Sequence, residues 1–141
     1  MRRKIAVFLC MMMVFAMTTG VAMAKQEYWD EQQDKKPYND SVLGDASKFS
    51  VYGTSNLAYV TIENTSGTYK YLTCQMAEYV DNIGWRNSTS ASGYKASGIQ
   101  ISTQISRDIK MVGYYYHGGY CYNDQSCSRA IDDYLYKAYQ D

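Results

Sequence analysis

Histidine and proline are almost absent from this chain, with one of each, His117 and Pro37, in 141 residues. A lone histidine argues against the usual zinc sites, which need several His or Cys ligands at short spacing. Other chemical signatures are missing too. No glycine-rich loop is placed to cradle a phosphate, and the oxygen donors Asn123, Asp124 and Gln125 lack the spacing of a calcium loop. His117, Asp124 and Ser126 have the residue types of a hydrolase triad but no nucleophile elbow around them. A dyad of Cys74 and His117 is conceivable across a sheet, yet nothing in the sequence around either marks a nucleophile. The expectation is therefore no catalytic residue, no metal and no cofactor, with a cysteine-dependent enzyme as the remote alternative. Clustered positive charge is lacking beyond Arg2, Arg3 and Lys4, and 14 basic residues meet 14 acidic ones. That balance argues against a nucleic-acid partner, whose binding rests on grouped Lys and Arg.

Long apolar runs are confined to the N-terminus. Arg2, Arg3 and Lys4 precede 13 apolar residues, Ile5 to Met17, and then the small residues Ala22 and Ala24. A positive start, a short apolar stretch and an A-x-A site, in that order, form a secretory signal peptide. The stretch is too short to span a bilayer, which takes about 20 apolar residues. Cys10 sits inside it after Leu9, the wrong place for lipidation. We assign residues 1–24 to a bacterial-type signal peptide, and expect a secreted, extracellular protein with no membrane span after cleavage. Three basic residues leave with that segment, so 11 basic and 14 acidic residues remain among residues 25–141.

Residues 25–48 are polar, carry Pro37 and show no sustained period, so they read as an N-terminal arm with Tyr28-Trp29 as its one apolar spot. Residues 49–141 read as a single β-rich domain. Leu57 to Glu63 alternates Ala58, Val60 and Ile62 against Tyr59, Thr61 and Glu63. Period two with β-branched residues marks a half-buried strand. With the turn Asn64 to Gly67 and the run Tyr69 to Val80, it reads as a hairpin. Asp81 to Gly84 is a second turn, and Arg86 to Gly98 holds a short strand and a loop around Gly93. Ile99 to Ser106 alternates again, Arg107-Asp108 turns the chain, and Ile109 to His117 returns as the second arm of another hairpin. Ser128 caps a short helix over Arg129 to Tyr139 with Ile131, Leu135 and Ala138 on one face, although the tyrosines there would also suit a closing strand. The fold class expected is mostly β: a small antiparallel β-sandwich or barrel-like domain with a short C-terminal helix.

Cys74, Cys121 and Cys127 follow the signal segment, an odd number for an exported chain. Cys121 and Cys127 flank a turn-prone stretch and are the expected disulfide, with Cys74 a buried thiol. Pairing of Cys74 with either of the others stays open. Glu63 and Glu78 read as surface charges guarding strand edges, and Asp132-Asp133 as solvated.

What the chain has in abundance is tyrosine, 16 in all. Tyr114, Tyr115, Tyr116, Tyr120 and Tyr122 crowd around His117 and Gly118-Gly119. A strand sends alternate residues to opposite faces, so Tyr115 must face away from Tyr114 and Tyr116. Tyrosine offers a broad, stiff contact surface with a polar tip. Tyr114, Tyr116, Tyr120, Tyr122 and Trp85 are therefore the candidate ligand-binding residues. The expected partner is a glycan or protein of the cell surface or envelope, bound without catalysis.

Leu57 to His117 also resembles the secreted β-sandwich bacteriocins of the lactococcin 972 type. The likeness rests on the signal peptide, the Asn64 to Gly67 turn, Gly84-Trp85, and a strand closing on Tyr114-Tyr115-Tyr116. This domain is longer than that family's, carries cysteines, and lacks the Gly–Trp-rich start. The resemblance implies a toxin acting on the envelope of competing bacteria.

Overall fold

A computed structural model describes residues 25–33 and 37–140, the first of these as backbone. The signal-peptide assignment and the side chains of Tyr28 and Trp29 lie outside the described residues. Every regular element described is a strand, because the β-branched and aromatic segments alternate with period two. The strands are β1 (Lys25–Gln33), β2 (Tyr38–Leu43), β3 (Ser47–Gly53), β4 (Leu57–Asn64), β5 (Lys70–Val80), β6 (Gly84–Lys95), β7 (Gln100–Ser106), β8 (Gly113–Tyr122) and β9 (Ala130–Gln140). They form a five-stranded sheet in the order β1-β9-β8-β5-β6 and a four-stranded sheet in the order β2-β3-β4-β7. All neighbours run antiparallel except β1, which joins β9 in parallel. One core lies between the sheets. Phe49, Val51, Val60 and Ile62 meet Leu72, Met76, Tyr115, Tyr134 and Tyr136 there.

The two expected hairpins do not form. β4 pairs with β3 and β7, whereas β5 pairs with β6 and β8. β7 and β8 likewise belong to different sheets. Alternation tells a strand which face to bury but not which neighbour to take. The connections between sheets are held by specific polar groups. The Asn64 amide donates to the carbonyls of Thr68 and Lys95, both at 2.8 Å, and turns the chain out of the four-stranded sheet. Buried Arg107 donates to Thr54 O and to Gln140 Oε1, each at 2.7 Å, and so ties the β7–β8 connection to both sheets.

The C-terminal segment is a strand and not a helix. Asp132, Tyr134, Tyr136, Ala138 and Gln140 are buried at every second position. The proposed helical stripe splits: Ala138 belongs to the buried set, while Ile131 and Leu135 fall at the intervening positions. The polar arm also differs from expectation. It supplies β1 and β2, and Tyr38 reaches the core at 3% exposure. Its low hydrophobicity is matched in β2, an edge strand that buries little beyond Tyr38. β6 runs unbroken through Gly93.

Three further expectations are corrected by burial. The expected Cys121–Cys127 disulfide is absent, and Cys74, Cys121 and Cys127 are free thiols. Cys121 joins the core between the sheets, whereas Cys127 packs with Tyr120, Tyr122 and Ala130 on the other side of the five-stranded sheet. Asp132 and Asp133 are buried, and Asp132 caps the β2–β3 turn. It accepts from Asp45 N at 2.7 Å, Ala46 N at 2.9 Å and Ser47 Oγ at 2.7 Å. Glu78 is buried too, and accepts from Arg86 and from Asn87, the residue bulged out of β6 with φ of 47°.

Gly118 and Gly119 show how each face is filled. A Cβ on Gly119 would lie 2.7 Å from the Phe49 ring, which stacks on Tyr134 at 4.8 Å and 4°. A Cβ on Gly118 would meet the Tyr116 ring and hydroxyl, from 2.8 Å. Phe49 is fully buried and has nowhere to move; Tyr116 is half-buried and can swing. Overpacking a core costs about 1–3 kcal/mol. Gly119→Ala should therefore lower the unfolding free energy by that amount, read as a lower urea midpoint at an unchanged m-value, and Gly118→Ala by clearly less.

Candidate functional site

The central strand β8 has neighbours on both sides, so its alternation sorts two sets of residues. Tyr115, His117 and Cys121 enter the core. Tyr114, Tyr116, Tyr120 and Tyr122 take the outer face of the five-stranded sheet. Register extends that face across four strands. Tyr114 lies opposite Tyr79 of β5 and Tyr139 of β9, and Tyr79 lies opposite Trp85 of β6. Trp85 follows the tight β5–β6 turn, where Asn82 and Gly84 take φ of 63° and 100°. All five candidate residues thus share one face, but they fall into two groups.

The first group is a row of rings at one end of the sheet: Trp85, Tyr79, Tyr114 and Tyr139, with Tyr116 beside it. Tyr79 stacks on Tyr114 at 5.0 Å and 16°. Trp85 stands edge-on to Tyr79 at 5.2 Å, Tyr114 at 5.7 Å and Tyr116 at 6.1 Å. Tyr139 leans on Tyr114 at 5.1 Å, and the Lys137 ammonium sits 5.0 Å over the Tyr114 ring. Each ring is half-buried. Burial among these rings raises the Tyr114 phenol above its ordinary value, with Tyr139 and Tyr79 adding to the effect. The row offers ring edges, neutral hydroxyl tips and one cation. That set can stack on sugar rings or apolar groups and hydrogen-bond at its margin.

The second group is structural. Tyr120 and Tyr122 stack at 5.5 Å and 14° and are 5% and 6% exposed. Cys127 and Tyr71 pack against them, and Gln125 N donates to the Tyr94 hydroxyl at 2.6 Å. The loop after β8 therefore closes over this end. Tyr79, Tyr139 and Lys137 were missed from sequence. Tyr79 keeps period two with Tyr71 along β5, but only the register places it between Trp85 and Tyr114.

The residues considered for catalysis lie on the inner side. Cys74 faces the core at 2% exposure, and burial pushes its thiol up to about 12, away from the thiolate a nucleophile needs. His117 is fully buried in mid-strand, far from the strand-end position its sequence suggests. Its Nε2 shares a 2.9 Å hydrogen bond with the Tyr38 hydroxyl, while Nδ1 has no partner among the described residues. Asp124 and Ser126 sit in the exposed loop, bonded to one another. Among the described residues no three His, Cys, Asp or Glu side chains group as metal ligands. No helix among them is long and apolar enough to cross a membrane. No protein-family model matches the chain, and no curated protein matches it.

Burial lowers the His117 imidazole from 6.5 to about 3, while the neighbouring backbone of Tyr136 and Tyr115 pulls the other way and nearby Arg107 adds slightly to the lowering. The unfolded chain binds this proton from about pH 6.5 downward, and the folded chain only near pH 3. The stabilisation is complete above pH 6.5 and is lost as pH falls toward 3, by up to about 1.4 kcal/mol per pH unit. Urea unfolding at pH 7, 5 and 4 should show wild type losing more stability than His117→Gln. Equal losses would show that His117 titrates normally.

Proposed function

We propose that the protein is exported and binds, without catalysis, a glycan or cell-wall polymer outside the bacterial cell. The contact surface is the row Trp85, Tyr79, Tyr114 and Tyr139 with Tyr116. The observation that carries this reading is that four strands each contribute one aromatic ring to one end of one outer face. Core packing does not require it, because the core lies on the other side of the sheet. The ligand class follows from the chemistry. Half-buried rings with neutral hydroxyl tips suit sugar faces, and Lys137 suits an acidic substituent on them. A surface protein is the second ligand class, for which the same rings would serve as anchors. Of the candidate residues, Tyr120 and Tyr122 act in this reading as supports of the face.

The test is co-sedimentation of the exported protein with purified bacterial cell walls. A lost aromatic contact of about 1.5 kcal/mol weakens binding roughly tenfold. Trp85→Ala and Tyr116→Ala should each lose that much or more at nearly unchanged Tm. Tyr120→Ala should chiefly lower Tm. Binding that survives both Trp85→Ala and Tyr116→Ala would place the contact elsewhere.

A further inference from the structure

We propose that the opposite side of the molecule, the outer face of the four-stranded sheet, is a second and independent site that takes a neutral polysaccharide strand. Register builds this face in three rows that run across β2, β3, β4 and β7. The middle row is Ser41, Ser50, Thr61 and Ser102, one hydroxyl from each strand. One flanking row is Asn39, Tyr52, Tyr59 and Gln104. The other is Leu43, Lys48, Glu63 and Gln100. Short side chains therefore lie between two rows of long ones, which makes a shallow trough perpendicular to the strands. Thr61, 6% exposed, forms its floor, and Ser41 and Ser102 open its two ends. Four strands at about 4.8 Å spacing give the hydroxyl row a length of roughly 14 Å. That is room for a few sugar rings laid end to end.

The chemistry of the trough selects the occupant. Its four hydroxyls have no side-chain hydrogen-bond partner among the described residues. Each can both donate and accept, as sugar hydroxyls do. Tyr52 and Tyr59 pack edge-to-face at 5.5 Å and 75° along one wall, which gives a ring surface for the apolar face of a sugar. Asn39 and Gln104, both exposed, place an amide at either end of that wall. The charges on the other wall, Lys48 and Glu63, are direct cross-strand partners and cancel. A charged polymer would gain nothing from such a face, and an apolar protein surface would leave its hydroxyls unpaired. With the aromatic row on the other sheet, the molecule would present carbohydrate-binding faces on both sides.

Native gel electrophoresis of the exported protein through gels containing hydroxyethylcellulose or soluble starch tests this site separately from the first. Retardation by at least one of these neutral polymers is expected, unchanged in 0.5 M salt (roughly a 4 Å Debye length). Tyr59→Ala and the exposed-site variant Ser102→Ala should each weaken it at least threefold, while Trp85→Ala leaves it intact. Circular dichroism melts identify any variant that has unfolded, and Ser102→Ala guards against that failure in Tyr59→Ala. No retardation by either polymer would overturn the proposal. So would retardation only by dextran sulfate, retardation insensitive to both trough variants, or retardation abolished by Trp85→Ala.

Discussion

Tyr134 joins the two sheets twice, and the rest of the structure is arranged around that joint. Its ring stacks on Phe49 of the opposite sheet, and its hydroxyl donates to Ser47 O at 2.9 Å. Beside it the Asp132 carboxylate gathers the donors of the β2–β3 turn, with Ser47 bonded to both residues. A carboxylate in an apolar interior is stable only when its lone pairs are satisfied. Here two backbone N–H groups and a hydroxyl do so. The joint also explains the glycine opposite. Phe49 can lie flat on Tyr134 because Gly119 leaves it the space.

That joint fixes which side of each sheet is sealed. With the inner faces committed to one core, period two leaves every intervening residue on an outer face. On the five-stranded sheet those residues include the aromatic row, whose rings pack on one another across strands. On the four-stranded sheet they are chiefly hydroxyls, amides and tyrosines, with Leu43, Lys48 and Glu63 along one side. The polar groups that do enter the interior serve architecture. Arg107 spans the sheets, Glu78 ties a bulge, and His117 stays neutral against Tyr38. None of the three described thiols, Cys74, Cys121 and Cys127, has the electropositive, open setting that activates a cysteine.

Strand faces were legible in the sequence because alternation is local. Tyr115 opposed to Tyr114 and Tyr116, and Val60 and Ile62 turned inward, follow from spacing alone. Strand partners were not legible, because pairing joins distant segments. The two apparent hairpins are crossovers between sheets, decided by the Asn64 amide and the Arg107 guanidinium rather than by any turn signal. The C-terminal segment carried both periods, and its place between β8 and β1 selected the strand. For the site, Trp85, Tyr114 and Tyr116 were recognisable by type and sit together by register. Tyr120 and Tyr122 share their face, but the loop holding Cys127 covers them, and loop closure leaves no trace in spacing.

The central claim is that the outer aromatic row is a ligand surface, distinct from the packing it rests on. The most direct measurement is a 15N–1H NMR titration of the exported protein with soluble cell-wall fragments. Shifts should concentrate on the Trp85 indole and the amides of Tyr79, Tyr114, Tyr116 and Tyr139, and leave Phe49 and Tyr134 unmoved. Shifts that avoid the row, or spread evenly through the core, would contradict it.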